Sequence, residues 1–192
     1  MKKKYKLYFS TVVVMLATFF LPNKYISLFL AVVFSIGVAF FLYKNISLLI
    51  DPINDNEVKG RTLKEVLVFF MAMVLLAVIG VVLAEKNIFT EFTERMFANV
   101  YIILVMVWFG NIAGKIPFNG VIGLRLPWML LDEETWNIGH RLLGYCSLPL
   151  SVIYLVLIPL INNKTLAISV MALWIAIPGI GSYIFFKRKH RN

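Results

Sequence analysis

The amino-acid sequence predicts an all-α fold, a polytopic membrane helical bundle of six transmembrane helices with both termini in the cytoplasm. Two properties of the composition support this prediction. The mean hydropathy is +0.84, and 60% of the 192 residues are hydrophobic while only 15% are charged. The apolar residues also lie in long runs separated by short polar stretches. So few polar groups could not cover a water-facing surface, which excludes an ordinary soluble domain.

Six segments are long and apolar enough to cross a bilayer, which takes about 20 residues, with a range of roughly 17–25. The first is short, and Lys4 and Lys6 would let it reach by extending their charged ends to the lipid headgroups. A secretory signal peptide is the alternative for this segment, but no small-x-small cleavage site follows it. The predicted spans are residues 5–22, 25–43, 66–84, 96–114, 141–161 and 165–186.

The distribution of basic residues predicts the orientation. Fifteen of the 19 Lys and Arg residues fall at the N-terminus, in the 44–65 loop, in the 115–141 segment and at the C-terminus. The other loops contain the remaining four, Lys24, Lys86, Arg95 and Lys164. Cytoplasmic loops are rich in Lys and Arg, so the 115–141 segment and both termini are predicted to be cytoplasmic. Contact with anionic membrane lipids also explains the net charge of +9, and no direct nucleic-acid partner is predicted.

The sequence predicts one integral membrane domain over residues 1–192. The 44–65 loop is polar but too small to form a domain of its own. Short turns at 21–25 and 161–164 predict antiparallel hairpins between the spans that they join. Residues 1–192 show no convincing internal repeat, so the inverted-repeat architecture of secondary transporters finds no clear support.

The interiors of the spans hold almost no ionisable residues, which disfavours a coupled pump. Gly110 and Gly114 form a GxxxG pair, a spacing that lets two helices approach closely. Packing within one chain is favoured over dimerisation for this pair. Pro149, Pro159 and Pro178 are expected to kink their helices. Cys146 is the only cysteine, so no intramolecular disulfide can form.

The predicted cytoplasmic segment 115–141 gathers polar groups that the rest of the chain lacks. Pro127 disfavours helical geometry at the residue before it, so the stretch leading to it is predicted to be extended. Asp132 is a good N-cap, and Glu133 and Glu134 suit the first turn of a helix that runs on into the fifth span. Arg125 is expected to pair with one of these glutamates. His140 and Arg141 are expected near the lipid headgroup boundary, where they would cap this ion-pair network.

Three interpretations of this segment remain open. It could be an anchor of ion pairs and interfacial tryptophans that fixes the fifth span. It could be a recognition surface for a protein, a peptide or a lipid headgroup. It could also be catalytic, with Glu133 or Glu134 acting beside His140 as acid and base. The last needs a nucleophile, metal or cofactor, and the sequence shows no metal-ligand cluster, P-loop or dinucleotide fingerprint, so no cofactor, metal or enzymatic activity is predicted.

The ordered set R-x-P-W, E-x-W and H-R in this segment resembles the signature of the SdpI-type immunity family of bacterial membrane proteins. The resemblance is strong over residues 110–144 and general in hydropathy elsewhere. Leu126 and Met129 stand where the family usually has Thr, and Gly139 replaces the Thr before His140. The candidate functional residues are Asn111, Asn119, Gly123, Arg125, Pro127, Trp128, Glu133, Glu134, Trp136, His140, Arg141 and Gly144.

The resemblance implies a function and partners. The family's type member protects a toxin-producing cell from a secreted peptide and holds an autorepressor at the membrane. The expected function is therefore immunity and signal transduction in the cell membrane, with a peptide toxin and a small cytoplasmic helix-turn-helix repressor as partners. A small transporter or lipid-handling protein is the alternative, in which the 115–141 segment serves as a gate or headgroup site.

Overall fold

The computed structural model describes residues 23–49 and 57–191. The predicted first span, 5–22, and the middle of the 44–65 loop lie outside the described residues. Within the described residues the chain forms helices and loops, without strands, so the predicted all-α class is confirmed. The helices are α1 (Lys24–Lys44), a 3-10 turn (Ile46–Leu48), α2 (Glu57–Glu85), α3 (Glu91–Ala113), the short α4 (Pro127–Leu130), α5 (Glu133–Leu157) and α6 (Asn163–Lys189).

Five of the described helices, α1, α2, α3, α5 and α6, are long and apolar enough to cross a membrane. Each contains most of one predicted span, so the chain is a multi-pass membrane protein. Helix α5 begins eight residues before the predicted span at 141, because Asp132 caps it and the polar first turns continue into the apolar part. The prediction that the helix of the 115–141 segment runs on into the fifth span is therefore confirmed.

Side-chain caps fix where the long helices begin. The Asn23 carboxamide accepts the backbone N–H of Tyr25 at 2.9 Å at the start of α1. Thr90 caps α3, and Asn162 caps α6 by accepting the Lys164 N–H at 3.0 Å. Each cap satisfies a backbone donor that has no partner within the helix. The side chain of Asn162 thus ends the turn at 161–164 and begins α6.

Helix α5 is the central helix of the described bundle. It packs along α6 and crosses α3, while α1 packs on α2 and α2 on α3. Small residues make the α3–α5 crossing close, because a Cβ on Gly110 would overlap Ser147 and a Cβ on Gly144 would lie 2.9 Å from the Gly110 carbonyl oxygen. Gly110 therefore packs two helices of the same chain, as favoured for the GxxxG pair.

Two buried hydrogen bonds connect α5 to its neighbours. The Trp174 indole of α6 donates to Ser147 Oγ at 2.6 Å, and Ser147 Oγ in turn donates to the Leu143 carbonyl of α5. The Tyr154 hydroxyl donates to Asn99 Oδ1 of α3 at 2.8 Å. Hydrogen bonds between buried polar side chains fix the register of helices whose contacts are otherwise apolar.

Candidate signature site

The side chain of Asn119 stabilises the loop that leads from α3 into the signature. Asn119 is buried, and its carboxamide oxygen accepts the backbone N–H groups of Val121 and Ile122 at 2.9 and 2.6 Å. Its amide nitrogen donates to the carbonyls of Pro117 and Ile122 at 2.8 and 3.0 Å. All four bonds are to nearby backbone groups. The side chain of Asn119 thus satisfies backbone donors and acceptors that no helix or strand pairs at this turn.

Gly123 lets the chain turn against the buried face of α5. Its φ is +118°, a region that L side chains rarely adopt. A Cβ at this position would overlap Nε2 of His140 and would lie 3.1 Å from the ring of Trp136. Only glycine satisfies both the backbone geometry and the close approach, so this signature glycine has a direct steric reason.

His140 ties this turn to the helix. It is 1% exposed, its Nε2 accepts the Leu124 N–H at 3.1 Å, and its Nδ1 donates to the Trp136 carbonyl at 2.9 Å. One ring nitrogen must accept and the other must donate, so the imidazole is neutral with its proton on Nδ1. Among the described residues His140 does not cap an ion-pair network, as the sequence predicted. It is a buried connector between two backbone segments.

Trp136 fills the space beneath the loop. It is fully buried, it stacks on His140 with ring centroids 4.1 Å apart, and Phe118 packs edge-on against it at 5.6 Å. Its indole N–H donates to the carbonyl of Ile116 at 3.1 Å. One side chain of α5 therefore holds both the exit from α3 and the turn at Gly123.

Helix α4 is held against α5 and α6. The Trp128 indole donates to Ser182 Oγ of α6 at 3.0 Å, and its ring packs on Tyr183 with centroids 5.1 Å apart. Met129 is fully buried beside Gly139, where an added Cβ would lie 3.0 Å from the methionine sulfur. The absence of a side chain at Gly139 thus makes room for Met129.

The acidic first turn of α5 pairs with the last residue of α6. The Nζ of Lys189 lies 2.7 Å from Asp132 Oδ1 and 2.8 Å from Glu134 Oε2. Partial burial raises the pKa of Asp132, but hydrogen bonds from Lys189 and Thr135 outweigh it and lower that pKa to about 2. The Asp132 carboxylate is therefore ionised at any physiological pH, and the pairing persists.

The predicted pairing of Arg125 with Glu133 or Glu134 is wrong. Among the residues that the structure describes, the ion pairs at this end of α5 belong to Lys189, and Arg125 is exposed. Glu133 and Arg141 are also exposed, on the stripe of α5 adjacent to Trp136 and His140. These charged side chains do not pack with the buried residues of the signature. They lie exposed on the surface around them.

The signature therefore divides into a packed part and a displayed part. Sequence reasoning missed Ser182, Met129 and Lys189, the partners that fix α4 and the first turn of α5. Only Lys189 carried a usable signal, because it lies in a basic run predicted to be on the same side of the membrane. The packed residues are Asn119, Gly123, Trp128, Trp136, His140 and Gly144; the displayed ones are Asn111, Arg125, Pro127, Glu133, Glu134 and Arg141.

A comparison of two cation variants checks this division. Lys189→Ala is expected to lower the midpoint of thermal denaturation in detergent, and Arg125→Ala to leave it unchanged. The expected difference is small, because water and salt screen the exposed Lys189 pair. An equal or larger loss with Arg125→Ala would contradict the assignment of the pair to Lys189.

An apolar groove of about 350 Å³ lies beside the packed part, between the signature and α6. Leu126 and Trp128 form one wall, and Ile175, Gly179 and Tyr183 of α6 form the other. The groove exposes no polar surface, so it suits a hydrocarbon chain or an apolar side chain.

The comparisons with known proteins identify the same part of the chain. No curated protein and no solved structure is significantly similar to it. The model of the SdpI/YfhL protein family matches residues 115–186, which run from the end of α3 through the signature, α5 and most of α6. The resemblance of the signature is thereby confirmed: the chain is a multi-pass membrane protein whose residues 115–186 match the model of the SdpI/YfhL family.

Proposed function

We propose that the protein gives a bacterial cell resistance to a secreted antimicrobial peptide by binding it, without catalysis or pumping, and reports the bound state to the cytoplasm. It acts in the plasma membrane with six spans and both termini inside. The observation that carries the proposal is the packed part of the signature. Trp128 hydrogen-bonds to α6, and His140 hydrogen-bonds to the loop after α3. A movement of α6 or of this loop would therefore alter the signature.

The apolar outer faces of α5 and α6 suit the toxin. A peptide that attacks the bilayer must itself be apolar or amphipathic, and it reaches the protein through lipid. Large side chains on both helices point outward, and the groove beside Trp128 extends this surface to the signature. Exposed apolar residues of the two helices include Leu148, Val152, Leu155, Ile168, Leu173 and Ile177.

The displayed charges suit the cytoplasmic partner. Glu133, Arg125 and Arg141 are exposed at the end of the bundle that the basic residues predict to be cytoplasmic. A small helix-turn-helix repressor would bind this charged surface in one arrangement of the bundle and not in the other. A complete switch from 1:99 to 99:1 requires a difference in affinity of about 5.5 kcal/mol between the two arrangements.

The test separates protection from signalling in a toxin-sensitive strain that lacks its own immunity gene. The wild-type chain is expected to restore growth under the peptide encoded beside its gene. Val152→Asp on the apolar face of α5 should abolish protection, whereas Glu133→Ala and Arg141→Ala should preserve it and reduce co-purification of the repressor. Normal expression without protection and without a bound repressor would sink the proposal and favour a transporter or lipid-handling role.

The proposed topology makes a separate prediction. Reporter fusions after Lys86 and Lys164 should read extracellular, and those after Gly60 and Lys187 cytoplasmic, because Lys and Arg concentrate on the cytoplasmic side. A fusion after Lys24 should also read extracellular and tests the first span. A cytoplasmic signal at Lys86 would overturn the six-span arrangement.

A further inference from the structure

A cavity of about 630 Å³ opens between α2 and α3, away from the signature's packed part. Three cations converge on it: Arg61 and Lys64 from the first turns of α2, and Lys115 from just beyond the end of α3. The stacked rings of Phe69 and Trp108, with centroids 3.6 Å apart, form the deeper wall. The cavity is thus cationic at its mouth and aromatic farther in.

The charges at the mouth are not neutralised within the described residues. Glu65 is the one carboxylate among the lining residues, and none of the three cations forms an ion pair in the part of the chain that the structure describes. Lys64 lies over the ring of Tyr43, with its Nζ 5.6 Å from the centroid, which holds that ammonium at the cavity. An anion would find an excess of positive charge here.

The position of the cavity along the helices limits what the anion can be. The start of α2 and the end of α3 lie at the same end of an antiparallel pair, where membrane helices meet the headgroup layer. Below the mouth, Val68 and Ala72 continue the lining as apolar surface along α2. A ligand that fits both parts carries a negative head and a hydrocarbon tail.

Asn111 adds a hydrogen-bonding group at this site. It is exposed, it lines the cavity, and it belongs to the family signature although the packed part of the signature does not use it. Its carboxamide can donate to a phosphate oxygen and accept from a hydroxyl. The signature residue that the fold leaves without a packing role therefore lies beside the three cations.

We propose that this cleft is a binding site for an anionic phospholipid with a hydroxyl-bearing headgroup, of the phosphatidylglycerol class. Arg61 binds the phosphate through its planar guanidinium, and Lys64 and Lys115 contribute point charges. Asn111 contacts the headgroup, and an acyl chain lies along Val68 and Ala72. The site is distinct from the toxin and repressor surfaces and goes beyond the proposed function.

The experiment compares lipid retention by charge-matched variants. Full-length protein is reconstituted in nanodiscs of phosphatidylcholine with a graded fraction of phosphatidylglycerol, extracted, and analysed by native mass spectrometry. The cleft variant combines Arg61→Gln, Lys64→Gln and Lys115→Gln. The control combines Lys86→Gln, Arg95→Gln and Lys164→Gln, which removes the same charge at the other end of the bundle.

Wild-type protein and the control are expected to retain phosphatidylglycerol in preference to phosphatidylcholine, and the cleft variant to lose this preference at least tenfold. Asn111→Ala, which changes no charge, should weaken retention severalfold while thermal stability stays unchanged. Equal losses in the cleft and control variants would show nonspecific charge attraction and overturn the proposal. Saturable binding of inorganic phosphate in pure phosphatidylcholine discs, with no preference for the lipid, would overturn it as well.

Discussion

Gly123→Ala is expected to unfold the signature and to abolish the proposed resistance. Three costs act together at this position: a non-glycine residue at a φ of +118°, an overlap with His140, and loss of the bond from the Leu124 N–H to that ring. Backbone strain of this kind costs about 1–3 kcal/mol and the lost hydrogen bond about 1 kcal/mol, before the overlap is counted. The midpoint of thermal denaturation in detergent should fall by many degrees.

Gly120→Ala is the matched control, because it lies three residues earlier in the same loop. A Cβ on Gly120 would meet no atom within 4 Å, and the backbone there does not require glycine. This variant should keep wild-type stability and protection. If both alanine variants behaved alike, the close contact between Gly123 and His140 would not be the reason for this signature glycine.

Gly110→Ala should have an effect of similar size through a different mechanism. The added methyl overlaps Ser147, so α3 and α5 must separate or Ser147 must leave its bonds to Trp174 and Leu143. Overpacking at such a site costs about 1–3 kcal/mol, and each broken bond about 1 kcal/mol more. A large loss of stability and of folded yield in detergent is the expected result.

Gly114→Ala provides the comparison, since it is the other glycine of the GxxxG pair. A Cβ there would lie 3.8 Å from Arg141 Cγ, an ordinary contact. Gly114→Ala should therefore be neutral, and neither variant should alter the oligomeric state. A dimer that dissociates in Gly110→Ala with the monomer still folded would mean that the pair joins two chains.

Local rules predicted much of this fold. The apolar runs located four of the five long described helices within a few residues of one or both ends, and Asp132 caps α5 as the capping preference indicates. Spacing also sorted the faces of α5, with Trp136 and His140 on one side and Glu133 and Arg141 on another. These features depend on residues close in sequence, where helix geometry fixes the neighbours.

The contacts that the sequence did not predict join residues far apart in the chain. Lys189 pairs with Asp132 across 57 positions, and Trp128 bonds to Ser182 across 54. Helical periodicity does not show which turn of α6 faces the start of α5, so the sequence favours the nearer Arg125 as the partner of the acidic residues. The spacing along α5 predicts His140 near the headgroup boundary, about two turns from the acidic residues, but it does not show that the loop at Gly123 folds over the ring and buries it.

Three of the four tryptophans, Trp128, Trp136 and Trp174, donate their indole N–H groups to three different segments of the chain, and Trp108 stacks on Phe69 in the cleft. Each of these contacts between segments therefore contains an intrinsic fluorophore, the indole ring. Movement of α6 would change the surroundings of Trp128 and Trp174, whereas release of the loop after α3 would expose Trp136. Variants with one tryptophan replaced by phenylalanine at a time would assign the emission changes to single contacts. The fluorescence spectrum would then show, without any label, which contact breaks when a peptide is added to the membrane.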